Sequence, residues 1–218
     1  MRKFGRNFYF CLEDIRCMNT CIKFILVAGV ALASLCSCSR NSWSKEERKL
    51  IEGSDELMRV LTIENPEDSL ILRQSCKDIP LSELTSDLYE LLSAKMVATV
   101  TSPEQDGVGI AGPQVGILRR IVAVQRFDKE GEPFIVYPNI RITALRGEKI
   151  ISREGCLSVP NCREEVLRYP EVEITYSLPA DRNKAVRDTT ENISGFSAII
   201  FQHECDHLDG ILYIDKLY

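Results

Sequence analysis

The chain has 218 residues, enough for one domain with a substantial core, and its composition, 44% hydrophobic and 27% charged, is that of an ordinary globular protein. Its formal net charge of −5 is unevenly spread: residues 1 to 40 hold six Lys/Arg against two acids, which leaves the remainder at about −9. An acidic body without a dense Lys/Arg cluster argues against nucleic acid as a partner, because phosphate contacts need cations.

Phe24 to Leu35 reads FILVAGVALASL, an unbroken run without charge. It falls short of the ~20 residues that span a bilayer. It has the length of the apolar region of a secretory signal, with Lys23 as positive flank and Met18 as a natural start. The ending Leu35-Cys36-Ser37-Cys38 resembles a bacterial lipoprotein cleavage site, with Cys38 as the lipidated residue and Cys36 as a departure from the small residue usual there. Residues 1–41 are therefore expected to be a signal or lipoprotein-like segment, giving a cell-envelope location with membrane association through Cys38. Without export the protein would be cytoplasmic. Residues 42–218 are expected to form the folded domain.

Ser44 with Glu47 three residues later predicts a capping box and a polar helix to about Met58, weakened by Gly53. Asn65-Pro66 predicts a turn, and Ser69 to Arg73 a strand. Leu84, Leu88, Leu91, Leu92 and Met96 recur at helical spacing, which predicts an amphipathic helix over about 82–99. Pro103 to Gly116 reads as a glycine-rich loop. Short strands are expected at Ile121–Gln125, Phe134–Tyr137, Ile140–Ala144, Lys149–Ser152 and Val172–Ser177, with Gly131 and Gly147 in turns between some of them. A last helix is expected from Gly195 to Leu208, stopped by Gly210. The order predicts an α+β fold with antiparallel sheets around the final helix.

That helix carries His203-Glu204-Cys205-Asp206-His207, an H-E-x-x-H pattern built from the only two histidines of the chain. Four residues apart, both rings share one helix face and can reach one ion. Glu204 stands about 100° round from His203, beside the ion rather than on it, where a base for an attacking water belongs. The bland alternative, two surface histidines and a solvated Glu, requires this spacing to arise by chance about one time in a thousand. A third ligand is needed. Four cysteines (Cys76, Cys156, Cys162, Cys205) follow residue 40, at no regular spacing for a disulfide framework. Cys205 points to the far side of the helix. Cys156 follows a predicted strand, but spacing alone favours it only weakly, because buried cysteine is common. Phe196, Ile199, Ile200 and His203 follow an i, i+3, i+4, i+7 pattern, so apolar residues line the face that carries the histidines.

Three segments in order, GVGIAGPQVG (107–116), EGCLSVP (154–160) and QHECDHLDG (202–210), resemble the motifs of peptide deformylases. The resemblance covers roughly Leu72 to Tyr218. It departs at Gly112, where the family usually has alanine, a change expected to loosen the loop, and at Tyr137-Pro138-Asn139. The resemblance implies that Cys156, His203 and His207 hold one divalent ion, Fe(II) in the cell with Zn(II) as a replacement; ligand chemistry by itself suggests zinc. It implies that the enzyme removes the formyl group from the N-terminal methionine of newly made peptides, a step of protein biosynthesis. Glu204 would take a proton from the attacking water and pass it to the leaving amine. The side-chain amide of Gln114 and the backbone N–H of Leu157 would meet the developing oxyanion, each such donor being worth ~3 kcal/mol. Val108 would form the other wall of the methionine pocket, Gly109 would bond an extended peptide as an added strand, and Arg163 would meet a peptide carbonyl. An H-E-x-x-H endopeptidase would want a His or Glu as third ligand. A non-catalytic envelope lipoprotein is the alternative from another class. The oligomeric state is not legible.

Overall fold

The computed structural model describes residues 42–178 and 186–218; the segment read as an export signal lies outside them. Among the described residues three helices come first, α1 (Lys45–Ile51), α2 (Pro66–Leu72) and α3 (Asp87–Val100). Eight strands follow: β1 (Gly109–Ala111), β2 (Ile121–Gln125), β3 (Phe134–Pro138), β4 (Arg141–Arg146), β5 (Ile150–Cys156), β6 (Val159–Arg168), β7 (Glu171–Leu178) and β8 (Arg187–Ser194). The helix α4 (Gly195–Leu208) comes after them, with 3₁₀ turns at Leu81–Glu83, Gly112–Val115 and Tyr213–Lys216. The strands form three antiparallel sheets, β1-β2-β3, β4-β7-β8 and the hairpin β5-β6.

The capping box forms as expected: Ser44 Oγ accepts the Glu47 N–H at 3.1 Å and the Glu47 carboxylate accepts the Ser44 N–H at 2.7 Å. The helix ends at Ile51 rather than near Met58, just before Gly53, whose backbone entropy disfavours continuation. The strand expected at Ser69–Arg73 is a helix instead. Asn65 Oδ1 accepts the N–H groups of Glu67 and Asp68, Pro66 sits where no N–H is needed, and two acids face the positive end of the dipole. In α3, Leu88, Leu92 and Met96 are buried as their spacing predicts, while Leu91 faces outward.

The middle strand, β2, shows why the core has two halves. Its alternate residues point to opposite faces. Ile121 and Ala123 pack with Leu92 and Met96 of α3; Val122 and Val124 pack with Tyr137, Ile174 and Phe201 on the side of α4. A strand covered on both faces must be apolar throughout, which is how Ile121–Gln125 reads. The helix α4 thus rests on β1 and β2, and the β5-β6 hairpin reaches its other flank.

Gly112 does not loosen its loop. A Cβ there would lie 2.6 Å from the Ile117 carbonyl oxygen and 2.7 Å from that of Arg119. The backbone has closed in on the missing methyl group.

Candidate metal centre

His203 and His207 stand one turn apart on α4, with ring centroids 5.1 Å apart. Cys156, the last residue of β5, faces them; its Sγ is 3.2 Å from His207 Nε2. The sulfur and the two imidazoles offer three donor atoms that all lie within 4.8 Å of one another. Tetrahedral coordination by sulfur and nitrogen puts ligand atoms roughly 3.5 Å apart, so a small shift would close these three around one ion.

The electrostatics suit a cation. Burial drives His207 well below the ordinary histidine value, and the positive charge near His203 and Arg168 adds to this, so the ring is neutral and keeps a lone pair to donate. At His203 burial works downward too, but contacts with Cys156 and Glu154 and the nearby Glu204 outweigh it and lift the ring to about 10. Groups that hold a proton so firmly create a negative potential in which a cation can replace that proton. Glu204 is buried, which pushes its carboxyl up to about 7, with His203 pulling it down and Glu154 pushing it up. Its Oε2 has no hydrogen-bond partner among the described residues. A buried carboxylate oxygen without a partner marks a place where a ligand or water belongs.

Gly109 makes the enclosure possible. A Cβ on it would stand 2.5 Å from Glu204 Oε1 and 2.9 Å from Ile200 Cγ2, so only glycine lets β1 pass over the carboxylate. Gln114 is fixed at both ends: its Oε1 accepts the Ala111 N–H at 2.8 Å, and its Nε2 points to Ser158 Oγ at 3.2 Å and Cys156 Sγ at 3.6 Å. The amide N–H groups are therefore aimed at the cysteine end of the site. Leu157 opens the turn between β5 and β6.

A cavity of about 820 Å³ opens over these groups. Val108, Gly109, Gln114, Cys156, Leu157 and Arg163 line it, as do Phe196, Ile199, Ile200, His203 and Glu204. His207 alone among the expected site residues lies behind this lining, buried. Phe196 is 52% exposed and stands at the mouth, its ring 5.2 Å from Phe127.

Two residues with no role in the sequence reading hold the first histidine. Glu154 Oε2 lies 2.8 Å from His203 Nδ1, and Arg168 grips the same carboxylate with Nε at 2.8 Å and Nη2 at 2.9 Å. Burial would raise the Glu154 carboxyl, but His203 and Arg168 win and hold it below the ordinary carboxylate range. A charged Glu154 fixes the tautomer that leaves Nε2 to face the cysteine. Period-two alternation was the available signal, since Glu154 and Cys156 lie on one face of one strand. Tyr213 adds packing from the other side, stacked on His203 at 5.8 Å.

The polypeptide deformylase family model matches residues 57–218. A peptide deformylase of Leptospira biflexa is 39% identical over 166 residues, 73% of this chain and 87% of that protein. The structure is similar to that of a class I type b peptide deformylase from Acinetobacter baumannii bound to Met-Ala-Ser, at 31% identity and a TM-score of 0.63, covering 74% of this chain and 98% of that one. The peptide deformylase of Thermotoga maritima matches at 29% identity and a TM-score of 0.61, over 74% of this chain and 98% of that one.

Proposed function

This chain belongs to the peptide deformylase family, and we propose that it removes the formyl group from the N-terminal methionine of peptides with Cys156, His203 and His207 holding one divalent ion and Glu204 moving the proton. The observation that carries this reading is the convergence of those three donors beside an enclosed, unpartnered carboxylate. An ion held there would supply the positive charge that acidifies water and polarises a carbonyl. Thiolate and imidazole donors suit Fe(II) and Zn(II) alike, and we assign Fe(II) as the working metal with Zn(II) as its replacement.

The formyl group enters under Gly109. Glu204 takes a proton from water as its oxygen bonds to the formyl carbon, and hands that proton to the amine nitrogen as the C–N bond breaks, leaving formate and a free N-terminus. The Gln114 amide and the Leu157 N–H donate to the oxygen that gains charge. The methionine side chain lies against Val108, Ile199 and Ile200, with Phe196 at the rim. The peptide extends along β1, the edge strand of its sheet, bonding Gly109, with Arg163 on the far wall. Glu154 is a positioning residue that acts through His203.

The test is formate release from formyl-Met-Ala-Ser by the full chain purified without oxygen, with metal content measured on the same sample. One equivalent of metal and turnover lost on chelation support the reading. A metal-loaded protein that leaves the formyl peptide intact would overturn it.

Residues 42–218 are the catalytic domain in this reading, and residues 1–41 an export segment lipidated at Cys38. Mass spectrometry of the N-terminus decides the latter: an unprocessed chain with residues 24–35 attached rules it out. Among the described residues, no helix is long and apolar enough to cross a membrane.

A further inference from the structure

The hairpin β5-β6 brings two arginines to the mouth of the cavity. Arg153 and Arg163 both line it, and both are exposed. In the hairpin register Arg153 pairs with Glu165 and Gly155 with Arg163, so the two arginines stand on one face, diagonal to each other. The Arg163 side chain lies flat across Gly155: a Cβ on that glycine would be 3.1 Å from Arg163 Cγ and 3.3 Å from its Nε.

Six other arginines of the domain are used differently. Arg119, Arg120, Arg126, Arg141, Arg146 and Arg168 each hold a carboxylate within 2.9 Å. Among the described residues no carboxylate forms an ion pair with Arg153 or Arg163, not even Glu165 opposite. Asp106 and Glu164 also line the cavity, and neither bridges to them. In a protein whose domain stands near −9, two unpaired guanidinium groups side by side at a substrate channel are an electrostatic feature without an internal use.

We propose that Arg153 and Arg163 select peptides with an acidic side chain at the third or fourth residue. This rests on the deformylase reading, because it takes the reacting end of the peptide to lie at Cys156 and Glu204. Arg153 precedes Cys156 by three residues of extended strand, roughly 10 Å. A peptide extended alongside the hairpin covers the same distance in three residues, which brings its third or fourth side chain to Arg153, with Arg163 on the neighbouring strand two register positions nearer Cys156. A carboxylate there meets two fork-shaped donors that do not have to abandon a partner first.

The experiment compares formyl-Met-Ala-Asp-Ala, its Asn and its Lys counterparts, and the same set with the variable residue fourth, all on the full chain. At low salt the acidic peptide is expected to exceed the Asn peptide in kcat/KM by roughly three- to tenfold, since each exposed pair contributes modestly. The Lys peptide should fall below both. The advantage should shrink at about 0.5 M salt, where exposed charges are screened. In Arg153→Glu the ratio should invert in favour of Lys, and in Arg153→Gln it should narrow. Calorimetric affinities of the unformylated product peptides give a readout independent of turnover. Equal values for Asp, Asn and Lys peptides, or a preference untouched by both Arg153 variants, would sink the selection while leaving deformylation standing. Absence of turnover with an acid preference in binding would do the reverse.

Discussion

The helix α4 buries two faces, and the polar groups on them are treated in opposite ways. On the face toward β7, Gln202 spends its amide fully: Oε1 accepts the Tyr169 N–H at 3.0 Å, and Nε2 donates to the carbonyls of Tyr169 at 2.7 Å and Ala198 at 3.0 Å. Asp206 accepts from Arg168 and Lys216, both at 2.6 Å. Cys205 packs among apolar side chains, and burial pushes its thiol up. On the face that carries the histidines, Glu204 Oε2 and His207 Nδ1 are both buried and have no hydrogen-bond partner among the described residues. The same fourteen-residue helix therefore satisfies its polar groups on one side and leaves two buried polar atoms open on the other. The difference teaches that the cavity face is built around something the polypeptide does not itself provide.

Substitutions on the two faces should therefore fail in different ways. Cys156→Ala, His203→Ala and His207→Ala are each expected to take bound metal from one equivalent to none and activity to background, because three protein ligands are the minimum for such a site. Elemental analysis of the purified variants reads this, and a full equivalent in Cys156→Ala would reassign the third ligand. Glu204→Gln should keep its metal and lose roughly 10²- to 10⁴-fold in kcat, since an amide cannot carry the proton. Near-normal turnover in that loaded variant would point to another base. Glu154→Gln should weaken metal affinity by roughly 10- to 100-fold with a smaller loss of kcat once saturated, as expected for a group that acts through His203. Competition with a chelator measures it; unchanged affinity would mean that Arg168 and Glu154 serve the fold alone. On the satisfied face, Gln202→Ala should cost about 1–3 kcal/mol of unfolding free energy, because the Tyr169 backbone loses both partners. Denaturant unfolding and metal analysis together check it: a variant that sheds its metal without losing stability would erase the contrast between the faces.

How much of this was legible in the sequence follows the same division between local and distant. The helix α4 was legible to the residue, because its spacing, its Gly210 stop and its H-E-x-x-H pattern are all local. The strand β2 was legible because burial on both faces makes it apolar throughout. The strands β6 and β8, VPNCREEVLR and RDTTENIS, were not, because few of their residues are buried and their composition is that of loops. The helix α2 hides from periodicity because seven residues are too few to establish a period, although Asn65, Pro66, Glu67 and Asp68 spell a helix start. The Glu154–Arg168 grip joins residues fourteen apart across a hairpin with a register shift, and no spacing rule reaches that far.

Gly112 bears on how this protein could be altered. Alanine there adds only one methyl group and trims the freedom of the unfolded chain, so an engineer seeking stability would try it early. Here the carbonyls of Ile117 and Arg119 already occupy that volume. Gly112→Ala is therefore a lesion, passable only if the 117–119 segment is redesigned in the same step. The carbonyls that crowd this position make its side chain and the course of residues 117–119 a single design variable.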